Sequence, residues 1–212
     1  MIEKNSNFNF TWLWPRMVAV PGHNHKSFIP YPDKPAGAPE GIFTFIQGTV
    51  DKIEEDRVTL VSGENINYSH LCVATGSSPR FPQGLAPSSK SASVEYFGNL
   101  QNQVKTAQRI VLVGGGPVGV EIATDAKTRY PKKDVVLIHS RDRLANNFGR
   151  RVHEAAMTAC NDLKIRMCLD ERPAVPADTT HSQGSLVLKS GEKIEYDLLV
   201  SKLEIDLIHS SR

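Results

Sequence analysis

Residues 109–143 constrain the fold of this 212-residue chain more than any other stretch. Residues 110–113 form a continuous apolar run without polar alternation, which is typical of a parallel β-strand buried on both faces. A glycine-rich turn follows, then a segment of helical periodicity that ends at Pro131, and then a second apolar run at residues 135–138. The order strand, turn, helix and strand predicts a βαβ unit of a parallel sheet.

The turn has the spacing G-x-G-x-x-G. In a dinucleotide-binding fold the first glycine permits a tight turn, the second lets the backbone approach a pyrophosphate, and the third lets the helix pack closely on the strand. The free N–H groups at the start of the helix face the phosphates. The alternative is a glycine-rich turn without a ligand, but the position between strand and helix favours a dinucleotide site. Its predicted residues are Gly114, Gly115, Gly116, Pro117, Val118 and Gly119.

The end of the second strand departs from the NAD-binding pattern, in which an acidic residue holds the adenine ribose. His139 stands there instead, followed by Ser140, Arg141 and Arg143. Loss of the carboxylate and gain of guanidinium groups favour a 2′-phosphate, so NADPH is expected to bind at least as well as NADH. We predict His139, Ser140 and Arg141 as cofactor contacts; the alternative for the arginines is simple solvation.

Composition restricts the partners and the location. A net charge of +2 gives no bulk attraction to nucleic acid, and 40% apolar content suffices for a core of one or two domains. No apolar run reaches the roughly 20 residues of a membrane-spanning helix, and three cysteines without C-x-x-C spacing suggest buried thiols in a reducing compartment. We therefore expect no nucleic-acid partner, no transmembrane segment, no metal site and a cytoplasmic location.

Weaker patterns outline the rest of the chain. Extended runs at 43–48, 49–53 and 57–61 indicate a hairpin meander, and the apolar residues 71–76, which end in a glycine, predict a buried strand. Residues 79–93 are rich in proline and serine and predict a linker. Other expected elements are a short helix around residues 96–104, a third parallel strand at 165–169 and a mobile loop at 170–185.

Six short motifs follow one another along the chain: I-E-K-N at 2–5, W-P-R at 14–16, Q-G-T-V at 47–50, V-A-T-G-S-S-P-R at 73–80, G-G-G-P-V-G-V-E at 114–121 and Y-D-L-L-V at 196–200. In content and order they resemble the FAD-dependent pyridine nucleotide-disulphide oxidoreductases, within them the apoptosis-inducing-factor-like and ferroptosis-suppressor-like branch. The resemblance implies a Rossmann-like, doubly wound α/β fold. An NAD(P) domain (94–200) is then inserted, after a linker (81–93), in an incomplete FAD domain with a meander (1–80), and a divergent tail follows (201–212).

The resemblance also implies roles for single residues. Glu3 falls on the carboxylate that holds the FAD ribose, Val50 on a backbone contact with adenine, and 74–76 on a second FAD contact. Glu121 falls near the nicotinamide and is the predicted catalytic residue. The alternatives are an exposed terminal acid at Glu3 and, at Glu121, a carboxylate favoured by the helix dipole. The predicted FAD contacts are Glu3, Val50, Ala74, Thr75 and Gly76, and Lys4 and Arg16 are further predicted cofactor-binding residues.

Two family elements are missing from this sequence: a strand and G-x-G-x-x-G before Glu3, and a Gly-Asp dipeptide after the NAD(P) domain. We therefore expect this chain to be the middle of a longer enzyme. Expressed as written, it should purify without stoichiometric FAD and show little or no quinone reductase activity. The redox disulfide of the glutathione-reductase branch is also missing, in agreement with direct electron passage from flavin to a small quinone-like acceptor.

The implied function is transfer of hydride from NAD(P)H to FAD and of electrons onward to that acceptor. The alternative is a catalytically impaired fragment that serves only as an NAD(P)-binding module, and bound flavin distinguishes the two. A short-chain dehydrogenase needs a tyrosine with a lysine four residues later, which this sequence lacks. The oligomeric state is left open.

Overall fold

The computed structural model describes residues 1–32, 35–76, 89–176 and 183–201, and the backbone of 77–79 and 205–207. The described helices are α1 (Trp14–Ala19), α2 (Lys90–Thr106), α3 (Pro117–Arg129) and α4 (Arg150–Asp162), with 3-10 turns at Thr11–Leu13 and Asn24–Ser27. The described strands are β1 (Ile2–Glu3), β2 (Asn7–Asn9), β3 (Phe28–Pro30), β4 (Ile46–Gln47), β5 (Val50–Ile53), β6 (Arg57–Leu60), β7 (Asn65–Asn67), β8 (Ser77–Pro79), β9 (Arg109–Val113), β10 (Asp134–Ile138), β11 (Arg166–Cys168), β12 (Gly184–Val187), β13 (Lys193–Tyr196), β14 (Leu198–Val200) and β15 (Ile205–Leu207).

A four-stranded sheet forms the centre of the molecule. Its order is β11-β10-β9-β14, and all three pairings are parallel. Val111 of β9 lies between Val136 of β10 and Leu199 of β14. The three strands predicted from their apolar runs are confirmed, and so is the Rossmann-like α/β class. The third strand is shorter than expected, since β11 holds only three residues.

The two faces of this sheet have different covers. Ile110 and Leu112 pack with helical residues such as Ile122 on one face. Val111 packs with Leu186 of the β12–β13 hairpin on the other face. Because neighbouring residues of a strand point to opposite faces, the apolar run 110–113 of β9 contributes to both layers. The prediction that helices pack on the sheet is therefore confirmed for one face. The antiparallel β12–β13 hairpin packs on the other face.

The segment before residue 31 packs into the helical layer. Phe97 of α2 is fully buried, with its ring centroid 5.7 Å from that of Trp14 and 6.0 Å from that of Phe28. Gln101, one turn further along α2, donates from Nε2 to the carbonyl of Met17 at 2.6 Å. The α1 region is thus held to α2 by aromatic packing and by a buried hydrogen bond.

Smaller sheets complete the structure and correct three expectations. The predicted runs at 49–53 and 57–61 are confirmed as the antiparallel strands β5 and β6, which β7 joins as a third strand, but β4, in the run at 43–48, pairs in parallel with β1 instead. The predicted buried strand at 71–76 is wrong: these residues have no regular secondary structure and all are exposed. Burial of a strand requires neighbouring strands, and none pairs with this segment among the described residues. Helix α2 begins at Lys90, inside the predicted linker, because Ser89 accepts the N–H of Ala92 as its N-cap.

Parts of three predicted segments lie outside the described residues. They are 80–88 of the linker, 177–182 of the loop, and 202–204 and 208–212 of the tail. Among the helices that the structure describes, none combines the length and apolar character needed to cross a bilayer.

Truncation of Phe97 tests the packing of the N-terminal segment. Phe97→Ala should lower the free energy of unfolding by about 3–5 kcal/mol, because it removes a buried ring and leaves a cavity between Trp14 and Phe28. Denaturant unfolding measures the loss. Asn99→Ala, at an exposed position of the same helix, is the control and should change stability by less than about 0.5 kcal/mol. Equal effects of the two variants would contradict the packing.

Candidate functional site

The glycine turn lies at the carboxyl edge of the central sheet, between the end of β9 at Val113 and the start of α3 at Pro117. Gly114 has φ +131°, a conformation that side chains other than glycine's rarely adopt. Its N–H donates to the carbonyl of Ile138 at 2.8 Å, which ties the turn to the end of β10. The turn thus occupies the place where ligands bind in open α/β sheets.

Gly116 faces open space at the start of α3. A Cβ built on this residue would meet no atom within 4 Å. Its φ of −72° and ψ of 179° are extended, so backbone conformation does not require glycine here. The N–H groups of Val118 and Gly119, in the first helical turn, have no acceptor inside the helix. An open approach, free N–H groups and the positive end of a 13-residue helix fit an anionic pyrophosphate.

Gly115 has the opposite surroundings. A Cβ on it would lie 2.6 Å from Cδ2 of Leu144 and 2.7 Å from Cγ of His139. Its N–H donates to Nδ1 of His139 at 3.0 Å, and its carbonyl accepts the N–H of Ala145 at 2.7 Å. The segment after β10 therefore holds both polar groups of the Gly115 peptide. Sequence reasoning missed Leu144 and Ala145, because no local motif indicates which distant residue packs on the turn.

His139 points at the turn. Its side chain is buried, and Nε2 lies 3.3 Å from Oδ1 of Asn146. Burial lowers the pKa of His139, and the charge of Arg141 lowers it further. Ser140 is half-buried and Arg141 is exposed just beyond the strand. The predicted cofactor contacts at the end of β10, His139, Ser140 and Arg141, thus lie beside the turn. Of these, His139 contacts the backbone of Gly115.

A carboxylate pair follows on the exposed side of α3. Glu121 lies one turn before Asp125, and Oδ1 of Asp125 is 2.9 Å from Nη1 of Arg16 on α1. Partial burial and the charge of Asp125 raise the pKa of Glu121. Burial also raises the pKa of Asp125, and Arg16 opposes that shift. Arg16, a predicted cofactor-binding residue, therefore lies against α3.

The predicted FAD contacts and Lys4 fall into two groups. Glu3 and Lys4 are adjacent to β4 through the β1–β4 pairing, and Val50 opens β5 three residues beyond Gln47. Oε1 of Glu3 accepts the N–H of Asn5 at 3.0 Å, and no hydrogen bond found among the described residues involves Oε2. Residues 74–76 are exposed, and no hydrogen bond in the described part of the chain joins them to Glu3 or Val50.

A wide polar groove of about 630 Å³ lies at the opposite edge of the sheet. It is lined by Arg109 and Asp134, the first residues of β9 and β10, and the two form an ion pair at 2.9 Å. Because the strands are parallel, their amino ends are far from the glycine turn. This groove is therefore separate from the glycine turn. Within the described residues, no group of histidine, cysteine and acidic side chains is placed to hold a metal.

The sheet order, the turn at its carboxyl edge and the open helix N-terminus define an α/β protein of the dinucleotide-binding class. The family model of the pyridine nucleotide-disulphide oxidoreductases matches residues 12–202. The chain belongs to this family.

Individual relatives agree with this assignment. Ferroptosis suppressor protein 1 of Mus musculus is 43% identical over 151 aligned positions, and this alignment covers 69% of this chain and 38% of the mouse protein. Fe-regulated protein 8 of Mycosarcoma maydis is 27% identical over 219 aligned positions, and this alignment covers 93% of this chain and 55% of that protein. The chain therefore spans only part of the length of the curated relatives it matches.

Solved structures show the same fold. The ferredoxin reductase for the CYP199A2 system from Rhodopseudomonas palustris matches with a TM-score of 0.64 at 20% identity, over 90% of this chain and 49% of that one. A NAD-dependent persulfide reductase from A. fulgidus matches with a TM-score of 0.69 at 18% identity, over 96% and 40%. At these identities the likeness concerns the fold alone.

An added methyl group tests the packing behind the turn. Gly115→Ala should lower the free energy of unfolding by about 1–3 kcal/mol or more, because its Cβ would overlap Leu144 and His139. Gly98→Ala is the matched control: Gly98 lies inside α2 with no atom within 4 Å of a built Cβ, so alanine should stabilise by about 0.5–1 kcal/mol. Thermal or urea unfolding measures both, and a neutral Gly115→Ala would contradict the close packing.

Proposed function

We propose that the turn formed by residues 114–119 binds the pyrophosphate of NAD(P)H, as part of an enzyme that passes hydride from NAD(P)H to FAD. The open space at Gly116 in front of the N-terminus of α3 carries this proposal. Membership of the pyridine nucleotide-disulphide oxidoreductase family supports it. In this view residues 94–200 form the NAD(P)-binding unit, residues 1–80 contribute to FAD binding, 81–93 connect them and 201–212 form a tail.

The remaining nucleotide contacts follow from the position of the turn. Ser140 and Arg141 lie at the end of β10, next to the turn, which suits the adenosine ribose and its 2′-phosphate. We propose that Arg141 pairs with the 2′-phosphate, since an exposed guanidinium can form bidentate bonds to phosphate. Glu121 lies about one helical turn after Pro117, the first residue of α3, and we propose that it contacts the nicotinamide end of the cofactor.

Glu3 offers the best fit to FAD among the residues present. Its Oε2 is available for a ribose hydroxyl, and the β1–β4 pairing brings Lys4 and the chain leading to Val50 next to it. One relative, from Flammulina velutipes, is named an FAD-dependent oxidoreductase. A bound flavin would supply hydride acceptance and onward electron transfer. The proposed electron acceptor is a small quinone-like molecule.

A second function, NAD(P) binding without redox activity, is favoured by one observation. Residues 74–76, the other predicted FAD contact, are exposed and, within the described residues, have no hydrogen bond to Glu3 or Val50. The visible absorbance spectrum of the purified protein separates the two functions, because only the oxidoreductase retains flavin bands near one equivalent.

Alanine at Gly116 tests the pyrophosphate site. Gly116→Ala should weaken NADPH binding at least about tenfold, because the new methyl group stands where the phosphates approach. Gly149→Ala is the matched control, since Gly149 is also an N-cap glycine with an open Cβ direction, at the start of α4. Both variants should lose only about 0.5–1 kcal/mol of stability. Calorimetric titration measures binding, and equal NADPH affinity of the two variants would argue against this site.

Removal of a guanidinium tests the cofactor preference. Arg141→Ala should weaken NADPH by about 1–3 kcal/mol and leave NADH nearly unchanged, because only NADPH carries the 2′-phosphate. Arg143→Ala serves as the comparison, since Arg143 has Asp142 as an ionic neighbour at 3.8 Å and should matter less. Isothermal titration with both nucleotides is the measurement. Equal losses of NADPH and NADH affinity in Arg141→Ala would refute the assignment.

A further inference from the structure

The imidazole of His139 lies behind the glycine turn, and its protonation state matters for that turn. Its Nδ1 accepts the N–H of Gly115 at 3.0 Å. A ring nitrogen that accepts a hydrogen bond is unprotonated, so the proton of the neutral ring is on Nε2, beside Oδ1 of Asn146 at 3.3 Å. The contact between Gly115 and His139 therefore requires the neutral ring.

We propose that His139 is a positioning residue for the dinucleotide: its neutral ring holds the Gly115 peptide, and with it Gly116, in the conformation that receives a pyrophosphate, and protonation of the ring releases the turn. This inference rests on the proposed function. A protonated imidazole has two donors and no acceptor. The Gly115 N–H would then face a donor, and Gly115, the residue before Gly116, would lose one of its two backbone hydrogen bonds to the segment after β10. Nucleotide affinity should fall in acid.

Surrounding groups set the pH range. Burial lowers the pKa of His139, and the positive charge of Arg141 also lowers it. Hydrogen bonds to Asn146 and to the backbone of Arg143, and the negative charge of Asp170, raise the pKa and oppose this shift. Because the net shift is downward from the ordinary value of about 6.5, the neutral ring dominates at neutral pH. Other neighbours are Cys168, whose carbonyl accepts the N–H of His139, Glu171, whose N–H donates to the carbonyl of His139, and His153 of α4, whose Nδ1 accepts the N–H of Leu144.

The same shift has a consequence for folding. The folded state holds the proton of His139 less tightly than the unfolded chain does, so stability from the neutral ring is present above about pH 6.5 and is lost as the pH falls through the folded pKa. Electrostatic attraction could act the other way on binding, because a cationic ring would favour an anionic ligand. The direction of the pH effect on affinity therefore decides between positioning through Gly115 and simple charge attraction.

Two substitutions of His139 distinguish the loss of the hydrogen-bond acceptor for Gly115 from the gain of a positive charge on the ring. His139→Asn places Oδ1 where Nδ1 stands and keeps an acceptor for Gly115, but does not titrate. His139→Leu places an apolar side chain there and leaves the Gly115 N–H without an acceptor. The probe is NADH, because the 2′-phosphate of NADPH itself titrates at about pH 6. Affinity is measured by calorimetry between about pH 8 and about pH 5, a range that spans histidine titration.

The wild-type protein should bind NADH with constant affinity above neutrality and lose on the order of tenfold in acid, the cost of a buried N–H without a partner. His139→Asn should bind like the wild type at neutral pH and show no acid loss. His139→Leu should be about tenfold weaker throughout. Acid loss that persists in His139→Asn, or affinity that rises in acid, would overturn the proposal.

A second readout needs no nucleotide. In NMR spectra of the free protein, the Gly115 amide shift and its exchange protection should change with the titration of His139, and neither should change in His139→Asn. A Gly115 amide that does not respond to pH would overturn the positioning role even if NADH binds. Absence of NADH binding at every pH, together with a Gly115 amide that does titrate, would refute the dinucleotide function while supporting the role of His139 in holding the turn.

Discussion

The bonds that hold the Gly115 peptide are the interaction on which the candidate site depends. A buried N–H or carbonyl without a partner is costly, so a turn packed beneath a sheet edge must find partners for its backbone. His139 supplies the acceptor and Ala145 the donor, at 3.0 Å and 2.7 Å. Because the N–H and the carbonyl of Gly115 both have hydrogen-bond partners within the protein, the next residue, Gly116, can face solvent. The face of the turn that we propose binds the dinucleotide thus depends on contacts made on its opposite face.

That arrangement needs a rigid base, which the central sheet supplies. Strand β9 is covered on one face by helices and on the other by the β12–β13 hairpin, and its end fixes where the turn begins. The N-terminal segment reinforces the helical layer: Gln101 binds the carbonyl at Met17 in a buried setting, and Arg16 bridges to Asp125 on α3. The surface ion pair adds little stability by itself. It does connect α1 to α3, the helix that carries Glu121.

The sequence predicted the elements whose signal is local. A continuous apolar run, a glycine spacing and a helical period identified β9, the turn and α3 nearly residue by residue. The run at 71–76 has similar composition, but a strand also requires partners, and local composition does not indicate whether partners are present. The hairpin that covers the second sheet face depends on the same long-range information. Helix α2 begins earlier than expected because Ser89 caps it within a segment rich in proline and serine.

The candidate site shows the same division between local and distant information. The spacing of its glycines predicts a turn, but it treats Gly115 as a spacer and His139 as a ribose contact. In the structure, Gly115 is glycine because protein atoms fill the place of a side chain, and Gly116 is glycine next to space that no described atom fills. Two adjacent glycines therefore have opposite physical reasons. Only the packing of the segment after β10, some 25 residues away in the chain, distinguishes them. The motif consequently predicts a dinucleotide site, while the side chain that we propose orients it is found from the fold.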